Sequence, residues 1–325
     1  MMYTSEDIMK IVNRSLAEIK YPEKPGNLYE PIEYVLSLGG KRIRPVLLLL
    51  VYNMYGDDIS EVLKVAMALE TYHNYTLLHD DLMDNADMRR GQATVHRRWN
   101  ANTAILSGDT MLVLAYKHLI SAKAERSHEL VELFTRTAIE IGEGQQYDMN
   151  FENSTDVTEN EYLEMIRLKT SVLMACAAKM GAILGKASRE DAQYLYEFGE
   201  MIGMAFQLQD DYLDVYGDPA IFGKKIGGDI LCNKKTYLLI KAYSRADEST
   251  RTELVRWCTA KEFDPDEKIK AVTDIYNRLG VADDVKALID RYFEKSRGKF
   301  DEVSLPYEKK HEVWRFVSSL IGRKN

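Results

Sequence analysis

The stretch EVLKVAMALETYHNYTLLHDDLMD, Glu61 to Asp84, carries apolar residues at three- and four-residue intervals and contains neither proline nor glycine. That spacing is the period of a helix, not the alternation of a strand. Further along, TSVLMACAAKMGAILG, Thr170 to Gly185, is apolar nearly all round, which predicts a central helix packed on several sides. Of seven prolines, four lie at or before Pro45 and the next is Pro219. A proline-free run of that length with few glycines predicts a series of helices. No segment shows sustained period-two alternation, so the expected fold class is all-α, with short turns at Gly56 to Asp58 (GDD) and Asn153 to Asp156 (NSTD). No serine/proline linker and no short repeat divides the chain, which is therefore read as a single domain, 1–325.

The composition, 46% hydrophobic and 29% charged, is that of a globular chain with a substantial core. A formal net charge of −8 argues against a general nucleic-acid binder. Any anionic ligand must be held by local cations or by metal. The three cysteines, Cys176, Cys232 and Cys258, are scattered without a CxxC pair and are expected to be ordinary buried thiols of a reducing cytoplasm. No signal-peptide order and no apolar run near 20 residues is present, so the expectation is a soluble cytoplasmic protein without stable membrane insertion.

One pattern recurs. DDLMD at Asp80 to Asp84 is echoed by DDYLD at Asp210 to Asp214, inside MAFQLQDDYLDVYGD. On a helix, residues four apart lie about 40° apart in azimuth, so Asp80 and Asp84 share a face, as do Asp210 and Asp214. Leucine, methionine, tyrosine and phenylalanine flank both sets, which points to partly buried carboxylates that need cations beside them. Oxygen ligands without His or Cys favour a hard ion, and magnesium takes only one or two protein carboxylates while leaving its other positions to water and phosphate. DNADMRRG supplies the complement, since the forks of Arg89 and Arg90 suit phosphate oxygens. A polyphosphate bridged by magnesium answers both halves of the pattern.

A second anion site is expected at GGKRIRP, Gly39 to Pro45. Lys41 and Arg44 would act there with His73, which precedes Asp80 by seven residues and so lies about 20° from it in azimuth and about 10 Å along the axis. Further candidates are Lys169 and Thr170 in RLKTSVLM, Gln207 in FQLQDD, and Lys224, Asp229 and Lys234 in FGKKIGGDILCNKKT. The glycines Gly223, Gly227 and Gly228 predict a loop able to close over phosphate.

With these motifs in this order, the sequence resembles the trans-isoprenyl diphosphate synthases, also called polyprenyl synthetases. The match runs from GGKRIRP through ETYHNYTLLHDDLMDNADMRRG, GD at Gly108, GQQYD at Gly144, KT at Lys169 and FQLQDDYLD to GKKIGGDILCNKKT. The resemblance implies an all-α bundle around a central cavity, usually a homodimer, with the two aspartate-rich helices facing each other. It implies a short-chain trans-prenyltransferase joining isopentenyl diphosphate to dimethylallyl, geranyl or farnesyl diphosphate. Asp80 and Asp84 would hold two magnesium ions and Asp210 a third, with Asp81, Asp211 and Asp214 orienting ligands and waters. Arg89, Lys169 and Lys224 would bind the allylic diphosphate, and Lys41, Arg44, His73 and Arg90 isopentenyl diphosphate. Thr170 and Gln207 would steady the developing cation, and Lys234 would add charge over the leaving group. Arg323 resembles a basic tail that reaches the isopentenyl site in some members.

Chain length is expected to depend on Thr76 and Tyr75, four and five residues before Asp80. An aromatic only at the position of Tyr75 resembles the geranylgeranyl-forming type, so C20 is the expected product and C15 the next. A terpene cyclase would handle a single diphosphate and leave Lys41, Arg44 and His73 without a task. A silent regulatory subunit tends to lose motif aspartates, and all six stand here. A plain metal-binding protein would not require Arg89, Arg90, Lys169 or Gln207.

Overall fold

The computed structural model describes residues 3–122, 126–152, 154, 156–218 and 226–322. In chain order the helices are α1 Ser5–Ala17, α2 Gly26–Ser37, α3 Ile43–Tyr55, α4 Leu63–Met83, α5 Val95–Arg98, α6 Ala101–Ile120, α7 Ser127–Glu152, α8 Glu159–Ile166, α9 Val172–Leu184 and α10 Arg189–Tyr216. They continue with α11 Gly228–Leu231, α12 Tyr237–Arg245, α13 Glu248–Thr259, α14 Pro265–Leu279, α15 Val281–Asp301 and α16 Tyr307–Ile321. The expected all-α class is what forms.

Many ends follow from sequence. Thr158 and Glu161 form a reciprocal capping box at the start of α8, and Asp264 caps α14 with Pro265 in its first turn, where a missing N–H costs nothing. Gly280, at φ 67°, ends α14 in the left-handed conformation that a side chain disfavours. The Gly56 to Asp58 turn forms after α3, whereas the NSTD stretch includes 153 and 155, which lie outside the described residues. One feature departs from the helical reading: β1 Met88–Arg89 and β2 Gln92–Ala93 pair as a small antiparallel hairpin within DNADMRRGQAT. Two residues a side are too few for alternation to register in sequence.

The chain forms two compact units, each drawn from three separated stretches. Unit 1 comprises 1–135, 176–193 and 304–314, and unit 2 comprises 136–175, 194–303 and 315–325. In unit 1 every residue of α3 from Pro45 to Met54 is buried, and α4 packs along α6. The close approach of α9 to α3 requires Gly181, whose added Cβ would strike the Leu48 carbonyl. In unit 2 the core gathers Phe151, Tyr162, Leu208, Leu238, Ile275 and Val285.

Candidate active site

The first aspartate motif ends α4. Asp80 and Asp81 lie in its last turn, and Asp84 is the residue just past it, its N–H bonded to the Asp80 carbonyl at 2.8 Å. The three carboxylates are not equivalent. Asp81 is 5% exposed, whereas Asp80 is half-buried and Asp84 exposed. Arg89, delivered by β1, donates from Nε to both Asp81 oxygens at 2.7 and 2.8 Å and brings Nη2 to 2.7 Å. Burial nevertheless lifts the Asp81 carboxyl to about 6, with Asp80 and Asp84 adding to the rise and Arg89 opposing it. Asp81 thus ties the hairpin to α4, and Asp80 and Asp84 are the less buried acids.

The residues expected to form a second anion site also lie in unit 1. Gly39, Gly40 and Arg42 take positive φ values of 76°, 132° and 46°. Arg90 donates to the Gly39 carbonyl, and a Cβ at Gly40 would come within 2.8 Å of its guanidinium. Arg44 Nη1 stands 3.2 Å from His73 Nε2. A guanidinium only donates, so that nitrogen accepts and the imidazole proton sits on Nδ1. Burial, then Arg44, Arg90, Arg89 and Arg42, push the His73 pKa well below its ordinary value. Neutral imidazole among arginines keeps a donor without adding another like charge. Lys41 is exposed at the entry of this turn.

This neutral histidine gives a pH signature. Because its folded pKa is lowered, the unfolded chain binds a proton below about pH 6.5 that the native state refuses, so stability falls as pH drops through that value and is unaffected above it. The slope from this group reaches up to about 1.4 kcal/mol per pH unit. Urea unfolding between pH 5 and 7 is expected to be less pH-dependent in His73→Gln, and an unchanged slope would contradict the assignment.

Arg42, third cation of GGKRIRP, does something else. It is 4% exposed, and Nη1 meets Glu70 Oε1 at 2.5 Å, Nη2 the Leu36 carbonyl at 2.7 Å and Nε the Asn13 side chain at 3.0 Å. Glu70 opens the quoted ETYHNYTLLHDDLMDNADMRRG, although the sequence alone assigns it no task. Upstream of Asp80, aromatic rings line up: Tyr75 lies 4.8 Å from His79 and 5.5 Å from Tyr72, whose ring is 5.1 Å from Phe134. Gly108 admits His79, since a Cβ there would collide with the imidazole. Thr76 turns its hydroxyl back to the His73 carbonyl at 2.8 Å.

Unit 2 holds the second motif entirely within α10. Asp211, 3% exposed, accepts from the Tyr162 hydroxyl and from Gln207 Nε2 at 2.9 Å, and Gln207 in turn accepts from Thr170 at 3.0 Å. Burial and the neighbouring Asp229 push the Asp211 carboxyl up, while Lys234, Tyr162 and Gln207 pull it down. Lys169 pairs with Asp148 at 2.6 Å. Lys169 and Thr170 occupy a π-helical turn, Arg167–Ser171, the kind of irregularity that often marks function. It fits between Gly144 and Gly203, where any Cβ would strike the backbone of Lys169 or Ser171. Asp214 receives the Asp229 N–H at 2.9 Å, which joins α10 to α11. Asp148 and Tyr162 were missed in sequence, although Asp148 closes the quoted GQQYD.

The sequence matches the profile of the Polyprenyl synthetase family over residues 25–276. The chain belongs to the polyprenyl synthetase family. It is 38% identical to a geranylgeranyl diphosphate synthase of Methanosarcina mazei, over 89% of this chain and 88% of that one. It is 41% identical to a geranylfarnesyl diphosphate synthase of Natronomonas pharaonis, over 72% and 74%. A crystal structure of a geranylgeranyl pyrophosphate synthase superposes with a TM-score of 0.94 at 41% identity, covering 100% of both chains. Family membership makes the chain a trans-prenyltransferase.

For this polyprenyl synthetase the donor chemistry suits a hard cation. Among the described residues no group of three or more His, Cys, Asp or Glu is gathered into a ready metal cage. Magnesium asks for no such cage, since water and phosphate fill most of its positions. The carboxyls of Asp81 and Asp211 are raised first by burial and then by neighbouring aspartates, Asp80 and Asp84 at the one and Asp229 at the other, a repulsion that a nearby cation would relieve. Lys224, Gly223 and Arg323 lie outside the described residues. Cys232 corrects the expectation of buried thiols: it follows the short α11 and is exposed, whereas Cys176 is buried and Cys258 partly so. Among the described residues no helix is long and apolar enough to cross a membrane.

Proposed function

We propose that this chain is a magnesium-dependent, cytoplasmic short-chain trans-prenyltransferase that condenses isopentenyl diphosphate with dimethylallyl, geranyl and farnesyl diphosphates and ends at geranylgeranyl diphosphate, with the chain 1–325 acting as a single domain. The observation that carries the reading is within unit 1. Helix α4 and its C-cap residue present carboxylates suited to a metal-bound diphosphate, at Asp80 and Asp84, and the same helix presents, at His73, part of an arginine site suited to a second diphosphate. A cyclase, with one diphosphate to handle, has no use for the second.

Magnesium, when bound, supplies positive charge that stabilises the departing diphosphate. Asp80 and Asp84 would hold two such ions and Asp210 a third, and Arg89, Lys169 and Lys224 would bind the allylic diphosphate. Arg89 and Lys169 are held by Asp81 and Asp148 here, so each must share or exchange its carboxylate for phosphate. The allylic carbon–oxygen bond breaks, and the oxygen dipoles of Thr170 and Gln207, which are hydrogen-bonded to each other, would steady the resulting cation. Lys41, Arg44, His73 and Arg90 orient isopentenyl diphosphate, whose double bond supplies the electron pair for the new carbon–carbon bond. A proton then leaves to the released diphosphate, which restores a double bond and gives an allylic product five carbons longer. Leu106, Val113 and Ile120, spaced by seven on α6 and 60%, 67% and 64% exposed, support a second copy of the chain as partner.

The experiment is product analysis of the purified protein with isopentenyl diphosphate and each allylic primer, with and without magnesium. C20 formed only with metal is expected, and absence of elongation would overturn the reading. Tyr75→Ala is expected to shift the main product to C25, with the rings of Tyr72 and Phe134 as the next stop. An unchanged C20 would remove Tyr75 from chain-length control.

A further inference from the structure

Lys268, on α14, is 0% exposed and belongs to none of the motifs that define the site. Burying an ammonium is costly unless it is compensated. Here the compensation comes without a carboxylate: Nζ donates to the Asn233 side-chain oxygen at 2.7 Å and to the Leu231 carbonyl at 3.3 Å, and it lies 4.1 Å from the centre of the Phe263 ring. Packing does not demand this arrangement, since a methionine of similar length would fill the space with no charge to desolvate. A methionine could not donate to those two oxygens.

Both oxygens lie between Asp229 and Lys234. Helix α11 has only four residues, and Leu231 ends it with a carbonyl that the helix itself cannot satisfy. Lys268 supplies the donor, at the end of the helix where a cation also suits the dipole. Asn233, at φ 55°, turns the chain in the left-handed region, and the Lys234 N–H returns to the Asp229 carbonyl at 2.9 Å. The same turn is fixed at its beginning by Asp214, which accepts from the Gly227 and Asp229 N–H groups at 2.5 and 2.9 Å. It is therefore pinned to α10 at one end and to α14 at the other, and it carries the two groups, Asp229 and Lys234, whose charges act on Asp211.

We infer that Lys268 is a positioning residue for prenyl transfer: through Asn233 and the Leu231 carbonyl it fixes the turn that aims Lys234 at the departing diphosphate. The inference rests on the prenyltransferase reading above. It predicts a loss in turnover, not in isopentenyl diphosphate binding, because Lys234 acts on charge that develops as the carbon–oxygen bond breaks.

The test compares full-length wild type with Lys268→Met, Asn233→Ala and the double variant, by steady-state kinetics per folded enzyme, thermal unfolding and amide exchange over 229–234. Each single variant is expected to lower kcat about tenfold, leave KM for isopentenyl diphosphate within about twofold and speed exchange in the turn. The double variant should fall no further than the worse single one, since both break one link. Lowered thermal stability with kcat within about twofold of wild type in both single variants would overturn the inference and leave Lys268 a purely structural residue. Should Lys268→Met fail to fold, Asn233→Ala decides alone by the same criteria. Wild type that forms no prenyl product would overturn the underlying reading as well, an outcome distinct from active wild type matched by both variants.

Discussion

Asp80→Ala and Asp210→Ala are each expected to cut magnesium-dependent elongation by at least about a thousandfold while leaving the helical circular dichroism of the protein unchanged. The size of the loss follows from the step affected. Breaking the allylic carbon–oxygen bond separates a cation from a diphosphate, and on the proposed reading these carboxylates would hold the charge that steadies the diphosphate. The fold should survive because neither side chain is a core group: Asp80 and Asp210 are half-buried, in contrast to the anchoring Asp81 and Asp211 at 5% and 3% exposure. The counterpart changes Asp81→Ala and Asp211→Ala are expected to cost stability as well, since each removes the acceptor of at least two hydrogen bonds. Near-wild-type turnover in Asp80→Ala or Asp210→Ala would sink the metal assignment.

Arg42→Met is expected to destabilise the protein by about 3–5 kcal/mol, read as a lowered urea midpoint at unchanged slope. Glu70 is 1% exposed and holds Arg42 through Oε1, while its Oε2 has no hydrogen-bond partner. Removing the guanidinium leaves a buried carboxylate supported only by the Asn74 amide at 3.0 Å. Methionine keeps a side chain of similar reach and the same positive φ, so the comparison isolates the lost charge and its three hydrogen bonds. Against a typical total of about 5–15 kcal/mol such a loss is large. Arg42→Met/Glu70→Met should recover much of it, because two apolar side chains leave no orphaned charge. A single-variant shift below about 1 kcal/mol would show that Glu70 is relieved in some other way.

These two expectations separate what was readable from what was not. The aspartates of the first prediction were legible because a repeated motif at helical spacing requires no knowledge of distant chain. In GGKRIRP, by contrast, three cations stand within four residues and no local rule distinguishes them. Arg42 proves to be the strut and Arg44 the partner of His73, a division set by Glu70 and His73 on α4, 28 and 29 residues away. Equivalent aspartates divide in the same way, Asp81 being claimed by Arg89 and Asp211 by Tyr162 and Gln207.

The sequence by itself determined the helical class, through period and the absence of proline, and it determined the inventory of the chemistry, through motifs whose side-chain types and spacing are local properties. Tertiary structure alone decided which charges are withdrawn into the protein and which stay accessible, because burial depends on packing partners remote in the chain. It alone made His73 neutral and opened a π turn at Lys169 between two glycines. Lys268 is the extreme case. In sequence it is one more lysine on a polar helix, and only the fold covers it with Phe263 and sets two oxygens against its ammonium, where desolvation turns an ordinary surface charge into a fixed support.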